Sequence, residues 1–520
     1  MIKIKLGDIM QKIFFVFCFI ILVLTLRGHV GNPTATELSE PYWTSDGPFE
    51  LSPERGRFAL AYSVVRDNSV LFSLDLARFT TPDLGYKNGK YVSLFAPGVS
   101  FITALGMKLG SLYNVAQLGT FAIVSLFALL NAYLIYRLVK QLGLSSTAGL
   151  LGSATFLFAS PAFVYGVTLY QHHFSTALIL ISLNLLVSRT SWFSLFVIWL
   201  LCASSVPIDY PNAVLMIPIG MAALSRIITF TKTKFAVSLN LNTYLVATFI
   251  SVTIPIGMFL WFNKASYGDP FQLSGTVPSV ARIDDEGNPA LPEKDFEIIG
   301  EKYVEIEKQK KTVTGFFEPR DLINGLYTHL IARDRGILFF TPILLLALFG
   351  LSSLTRANPE LATLTASISL YALLVYSLWG DPWGGWAFGS RYLIPAYAML
   401  SIMLSAFFDR FKKNFFMLLF ALILGLYSIF VNTTGALGTI AIPPKVQVLS
   451  LEALTGRVER YSWDRSWEYI KNGKIKSAVY ESLLSSSISP LTYFYYIYAS
   501  LSVVYLALLT IHFVAARRAR

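Results

Sequence analysis

The stretch Ser52-Pro53-Glu54-Arg55-Gly56-Arg57-Phe58 puts an acid and two arginines just after a first apolar run, at the start of a hydrophilic segment from about Gly28 to Val115. A cascade of apolar segments follows. A concentrated polar site therefore sits on one side of an otherwise apolar chain, the pattern of membrane spans joined by water-facing loops.

Composition agrees with that reading. Hydrophobic residues fill 54% of 520 positions and charged residues 14%, with a mean hydropathy of +0.56. No soluble domain of this length needs so much apolar content for its core, so the expected fold is an all-α polytopic membrane protein. Cys18 and Cys202 both lie in apolar runs, which supports neither a disulfide framework nor a thiolate metal site. The net charge of +11 serves membrane orientation first, with anionic membrane lipid the expected partner and no nucleic acid. The first apolar run, Ile13 to Leu26, follows Lys3, Lys5 and Lys12 with no A-x-A-like site after it, and reads as a retained anchor.

At about 17–25 apolar residues per span, helices are expected near residues 11–28, 116–138, 145–165, 173–189, 192–208, 210–229, 242–262, 337–355, 361–379, 389–408, 414–433 and 491–516. That is about twelve transmembrane helices. Short connections rich in Lys and Arg, including Arg137 with Lys140, Arg226 with Lys232 and Lys234, Arg410 with Lys412 and Lys413, and the terminal Arg517-Arg518-Ala519-Arg520, then fall on one side. The positive-inside rule places them, and both termini, in the cytoplasm. Residues 29–115, 263–336 and 434–490 become extracytoplasmic loops. The first is expected to carry interfacial helices: one over Arg57 to Val65 with Phe58, Ala61, Tyr62 and Val65 on its apolar face, and one within Tyr91 to Leu109. The middle loop, charged from Ile283 to Lys311, reads as a mobile surface flap. The chain divides at 433 into a membrane module containing the first two loops and a segment, 434–520, of one loop and the last helix. Asn432-Thr433-Thr434 matches a glycosylation sequon, a weak signal.

Several loop residues are candidates for chemistry. A water-facing Glu54 beside Arg55 and Arg57 would stay ionised and accept a proton from a hydroxyl, or simply pair with an arginine. His172 and His173 can hydrogen-bond or shuttle protons; adjacent side chains on a helix diverge by ~100°, so one metal between them is disfavoured. Asp209 and Tyr210 sit before Pro211, where capping of the next helix and substrate binding fit equally. Arg333 and Arg335 offer planar forks to phosphate oxygens, as does Arg391 at the end of Trp379-Gly380-Asp381-Pro382-Trp383-Gly384-Gly385-Trp386-Ala387-Phe388-Gly389-Ser390-Arg391. In that segment Trp386 and its neighbours can stack on sugar, and the glycines admit close backbone approach. A membrane-belt reading accounts for the Trp and Arg but not for the glycines. All these residues project to one side, and the spans are almost free of charge, whereas a transporter places ionisable groups near mid-membrane.

With these residues in place the chain resembles the polytopic GT-C glycosyltransferases, most closely the family 39 or protein-mannosyltransferase-like branch that includes the aminoarabinose lipid A transferases. Glu54-Arg55-Gly56-Arg57-Phe58 is similar to the D-E-x-R-Y/F signature of their first loop, with Glu in place of the catalytic Asp and Arg55 in place of the following acid. Asp83 to Gly98, containing Gly89-Lys90-Tyr91-Val92-Ser93-Leu94-Phe95-Ala96-Pro97-Gly98, looks like a stretch common in prokaryotic members. The His173 region, Asp209-Tyr210-Pro211 and Trp383 to Pro395 look like further landmarks of that branch.

The resemblance implies transfer of one sugar from a polyprenyl-phosphate donor to a hydroxyl on a protein, lipid or glycan acceptor at the extracytoplasmic face, with inversion and without a catalytic metal or other cofactor. Glu54 would be the base, Arg391 with Arg333 or Arg335 would stabilise the phosphate leaving group, and Lys87 and Lys90 would hold the donor headgroup. The rival readings are a transporter or flippase of lipid-linked glycans and a non-enzymatic scaffold for envelope assembly.

Overall fold

The computed structural model describes residues 6–45, 47–232, 237–241, 244–291, 294–299, 302–307 and 314–518. Among these, six helices are long and apolar enough to cross a membrane: Gly7–Leu24, Ala116–Gln141, Pro359–Ser377, Arg391–Phe411, Phe415–Leu437 and Pro490–Arg518. The chain is an integral membrane protein, as its composition requires.

Six rather than about twelve segments meet that criterion; the expected spans 173–189 and 192–208 are unbroken but shorter helices, His172–Val187 and Trp192–Ile208, and in three others the cause is local. The expected span 145–165 leaves the helix after Ser146–Phe158 and resumes at Ala162–Tyr165, past Pro161. The expected span 337–355 is a short helix Ile337–Phe340, a tighter turn Pro342–Leu346 and a helix Ala347–Ala357. The segment 210–229 breaks at Met216, one residue before Ile217-Pro218. Proline lacks an amide hydrogen and restricts the residue before it, and these three runs are divided at one; Tyr244–Tyr267 carries Pro255 without a break. A helix of 13 residues such as Ser146–Phe158 is about 20 Å long, well short of the ~30 Å apolar layer. The apolar run holding most of the expected span 242–262 forms Tyr244–Tyr267, packed against Trp192–Ile208; Lys234 and Lys308 to Lys311 lie outside the described residues.

Sequence explains where several helices begin. Ser145, Asn358 and Asn414 accept hydrogen bonds from the first-turn amides of the helices they precede, satisfying donors that have no partner within the helix. Close helix contact uses glycine. A Cβ on Gly106 would meet the Gly119 carbonyl at 2.2 Å, and one on Gly119 the Gly106 carbonyl at 2.1 Å; helix Gly98–Ser111 thereby lies directly on Ala116–Gln141. That helix is the second one expected in the first loop.

The first expected interfacial helix is different from its sequence reading. It runs Ser52–Tyr62, followed by a wider turn Ser63–Asp67, and every residue from Glu54 to Ala61 is buried. Phe58 packs with Phe49 and Phe79 in a second core beneath the loop, so this helix is enclosed rather than laid on a membrane surface. The middle loop is likewise anchored through its described part. Strands Leu84–Lys87 and Lys90–Ser93 form a hairpin around Asn88 and Gly89, both with positive φ, and Ser279–Val280 adds to it as a third strand. Tyr267 donates to the Ser93 carbonyl at 3.0 Å and Tyr91 to the Gly287 carbonyl at 2.7 Å. Asn432, the sequon residue, is fully buried and donates to the Phe340 and Ser428 carbonyls, which leaves it closed to modification.

Candidate active site

Glu54 occupies the third position of helix Ser52–Tyr62 and folds back on the helix start. Its Oε2 accepts from the Leu51 amide at 3.4 Å and its Oε1 from the Leu169 amide at 3.1 Å. The residue is 0% exposed. Burial lifts its pKa above the ordinary carboxylate value, with Arg27 opposing the rise. Glu54 is therefore a buried brace between the first loop and the Leu169 turn, and the water-facing placement expected of it does not hold.

A cavity of about 430 Å³ opens directly beside it, walled by Leu51, Ser52, Pro53 and Asp83 from the first loop and by Asp381, Trp386, Arg391 and Tyr392 from the glycine-rich segment. Asp83 is half-buried. Its Oδ2 accepts from the Ser52 hydroxyl at 2.6 Å, and its Oδ1 makes no hydrogen bond among the described residues. Asp381 accepts from the Gly385 amide at 2.6 Å and so fixes the turn in which Gly384 and Gly385 take φ values of 70° and 61°. That conformation strains any residue with a Cβ, which accounts for paired glycines here.

Arg391 is the principal cation of this wall. It is 9% exposed, and its Nη2 donates to the Gly384 carbonyl at 2.8 Å. Its Nε and Nη1, both buried, have no acceptor among the described residues. The guanidinium lies 4.6 Å from the Tyr170 ring centroid and 5.5 Å from that of Tyr392. Arg57 approaches the same Tyr170 ring at 5.3 Å and the Phe95 ring at 4.6 Å, while its N–H groups go to the Pro53 carbonyl and Gln171 Oε1. From Gln171 the network continues to Asp209, whose Oδ2 also accepts from Tyr376 at 3.5 Å. Tyr376 stacks on Tyr392 at 4.5 Å and 6°, closing the circuit. Burial raises the Asp209 pKa, with the Gln171 hydrogen bond and then Arg57 opposing the rise.

The structure thus gathers Arg57, His172, Asp209, Trp386 and Arg391 at or next to one cavity and distributes the remaining candidates elsewhere. His172 belongs with them: it is buried, parallel to the Tyr170 ring at 5.9 Å, with its Nε2 unpartnered among the described residues. His173 turns the opposite way, its Nε2 on the Ala162 carbonyl and its Nδ1 near Asn131, and is a packing residue. Lys87 bonds the Gln272 side chain and Lys90 is exposed beside the hairpin turn; neither lines the cavity. Tyr210 bonds Ser274 at 2.7 Å and holds the middle loop. Arg335 is 0% exposed and gives its N–H groups to the carbonyls of Asp334, Trp383, Gly385 and Ile442. It braces the glycine-rich turn with donors from all three of its nitrogens and does not line the cavity. Arg333 lines a second cavity. Tyr170, Gln171 and Tyr376 carry no motif of their own in the sequence; adjacency to His172 is the one signal for the first two. Among the described residues no group of three or more His, Cys, Asp and Glu is placed to hold a metal ion.

Fold and site together define a polytopic membrane protein in which loops from distant parts of the chain enclose a cavity bearing an under-coordinated arginine and open carboxylates. No protein-family model matches the chain, and no curated protein matches it. Among solved structures it is similar to ArnT from Cupriavidus metallidurans in the apo state, at 11% identity and a TM-score of 0.47, over 97% of this chain and 77% of that one. The crystal structure of the same protein bound to undecaprenyl phosphate is similar over the same shares, at 12% identity and a TM-score of 0.42.

Proposed function

We propose that this protein is a membrane glycosyltransferase that moves a sugar from a polyprenyl-phosphate donor to a hydroxyl acceptor on the extracytoplasmic face, with inversion at the anomeric carbon. The observation that carries the reading is Arg391, a buried guanidinium with two N–H positions unpartnered among the described residues, on the wall of a cavity that also presents Asp83. An unsatisfied buried cation is costly, and an incoming phosphate oxygen removes that cost.

In this reading the bond between the anomeric carbon and the phosphate oxygen breaks as the acceptor oxygen attacks from the opposite face. The leaving polyprenyl phosphate keeps the electron pair, and Arg391 stabilises the charge that develops on it. The acceptor proton passes to a carboxylate of the cavity. We assign that base role to Asp83, oriented by Ser52, rather than to Glu54, whose oxygens are engaged by backbone amides; Glu54 is a positioning residue for the helix start that carries Ser52 and Pro53. Trp386 stands where it can face the sugar. The positive-inside distribution of Arg and Lys puts this end of the molecule outside and both termini in the cytoplasm.

The test is transfer by the purified protein in vesicles, using polyprenyl-phosphate sugars labelled in the sugar and acceptor pools extracted from the envelope. Label moving to an acceptor, with stoichiometric release of polyprenyl phosphate, is the expected result. Label crossing the bilayer with its donor bond intact would instead make the protein a transporter.

A further inference from the structure

A second cavity, of about 460 Å³, lies under the segment that follows helix Lys445–Thr455, between residues 458–464 and the walls formed by Arg333, Phe339 and Tyr427. Its charges are unequally matched. Arg460 pairs with Asp464 and Glu468, and Glu459 pairs with Arg465. Arg333 has no such partner: its guanidinium lies 5.9 Å from the Phe339 ring centroid and makes no ion pair or hydrogen bond among the described residues. Glu459 and Asp464 are each ion-paired, Asp464 Oδ1 having no hydrogen-bond partner among the described residues, and Arg333 is the lining cation without an acidic partner, framed by Phe339, Tyr427 and Trp463.

Exposed apolar residues adjoin this cavity alongside the ion-paired Arg460 and Asp464. Val458, one of its lining residues, is 89% exposed, and Leu454 and Leu449 of the preceding helix are also exposed. Tyr427 closes an exposed stripe on helix Phe415–Leu437 made by Phe416, Phe420 and Ile423. Those positions are four, three and four apart, which places them on one helical face. The stripe ends at Tyr427, which lines the cavity together with Arg333.

We propose that this cavity is a second, separate site that holds an anionic membrane lipid, its phosphate on Arg333 and its acyl chain along the Phe416–Tyr427 stripe. Arginine suits a phosphodiester through its planar donor fork, and the aromatic frame lowers the local dielectric around the pair. The site is independent of the Arg391 cavity, because Arg333 takes no part in that wall. Arg465 links the two: its guanidinium pairs with Glu459 of the lipid site and lies 5.5 Å from the ring of Trp386 in the other.

Binding of a single phosphatidylglycerol of defined mass to the full-length protein in detergent, followed by native mass spectrometry, tests the proposal. One tightly held lipid is expected in the unaltered protein and in Arg391→Gln. The Arg333→Gln variant should bind it about tenfold more weakly, and Arg333→Lys should recover part of the loss. Arg333 is exposed and its removal breaks no ion pair, so the variant folds. Equal binding by the unaltered protein and Arg333→Gln, or loss in Arg391→Gln instead, overturns the proposal. Displacement of the lipid by glycerol phosphate at equal concentration also overturns it, because the site would then recognise a small anion without using the stripe.

Discussion

The Arg391 guanidinium sits 4.6 Å from the centre of the Tyr170 ring, and a second cation, Arg57, approaches that ring at 5.3 Å. One aromatic ring thus keeps two like charges close together, each attracted to its π-electrons. Under the proposed function, replacing Arg391 by Gln removes the charge assigned to the leaving phosphate and should slow transfer about 100- to 1,000-fold. Tyr170→Phe keeps the ring and should retain most activity, whereas Tyr170→Leu should weaken donor binding. Steady-state kinetics across a donor titration separates these outcomes; identical kinetics for Tyr170→Phe and Tyr170→Leu would show that the ring has no such role.

Asp83 and Glu54 make opposite predictions for the same conservative change. Under the proposed function, Asp83→Asn removes the assigned proton acceptor and should lower the transfer rate about 100- to 10,000-fold with donor affinity kept. Glu54→Gln replaces one carboxylate oxygen by an amide donor opposite a backbone amide, so it should loosen the loop, lower thermal stability and reduce activity only in proportion. Glu54→Gln that is fully folded, binds donor normally and is inactive would return the base role to Glu54.

The contrast between these two acids also marks how far the sequence can be read. Membrane spans are written in local apolar content, and the run Phe415 to Leu437 or Pro490 to Arg518 needs no tertiary information to be recognised. Where prolines divide an apolar run, at Pro161 or Pro342, length alone misleads. Glu54 reads as solvent-facing because its immediate neighbours include Arg55 and Arg57, but the amide that engages it in the interior belongs to Leu169, 115 residues away. Arg335 and Arg391 are alike in sequence, each followed or preceded closely by glycine. One gives N–H groups from all three nitrogens to four carbonyls and the other leaves two nitrogens without an acceptor among the described residues, a difference that arises only when the Trp383–Gly385 turn folds against both.

Helix Ala347–Ala357 crosses Ile394–Phe411 at Gly350, where a Cβ would stand 1.9 Å from the Met403 carbonyl and 2.7 Å from the Phe407 amide. Both obstacles are backbone, so neither can move aside without separating the helices. Gly350→Ala should cost about 1–3 kcal/mol and lower the thermal midpoint in detergent. A Cβ added to Gly257, within Tyr244–Tyr267, would meet nothing within 4 Å, so Gly257→Ala should be neutral or slightly stabilising by helix propensity. Equal midpoints for the two variants would refute the tight crossing.

Glu50 ties three parts of the chain together: it pairs with Arg27 at 3.0 Å and Lys476 at 3.6 Å and accepts from the Ile440 amide at 2.7 Å. Burial by itself would raise its pKa, but Lys476 and then Arg27, with the Ile440 amide, outweigh that and leave the pKa below the ordinary value of 4.5. A carboxylate with a depressed native pKa contributes stability that is fully present above its unfolded pKa and is lost as pH falls through the native value. Glu50→Gln should therefore destabilise the protein at pH 7, by about 3 kcal/mol given that it strands two buried cations. The gap from the unaltered protein should narrow once pH drops below about 4.5, as Glu50 itself becomes protonated. Thermal unfolding in detergent at a series of pH values reads this directly, and a gap that stays constant into acid would mean that the ion pairs of Glu50 do not stabilise the fold.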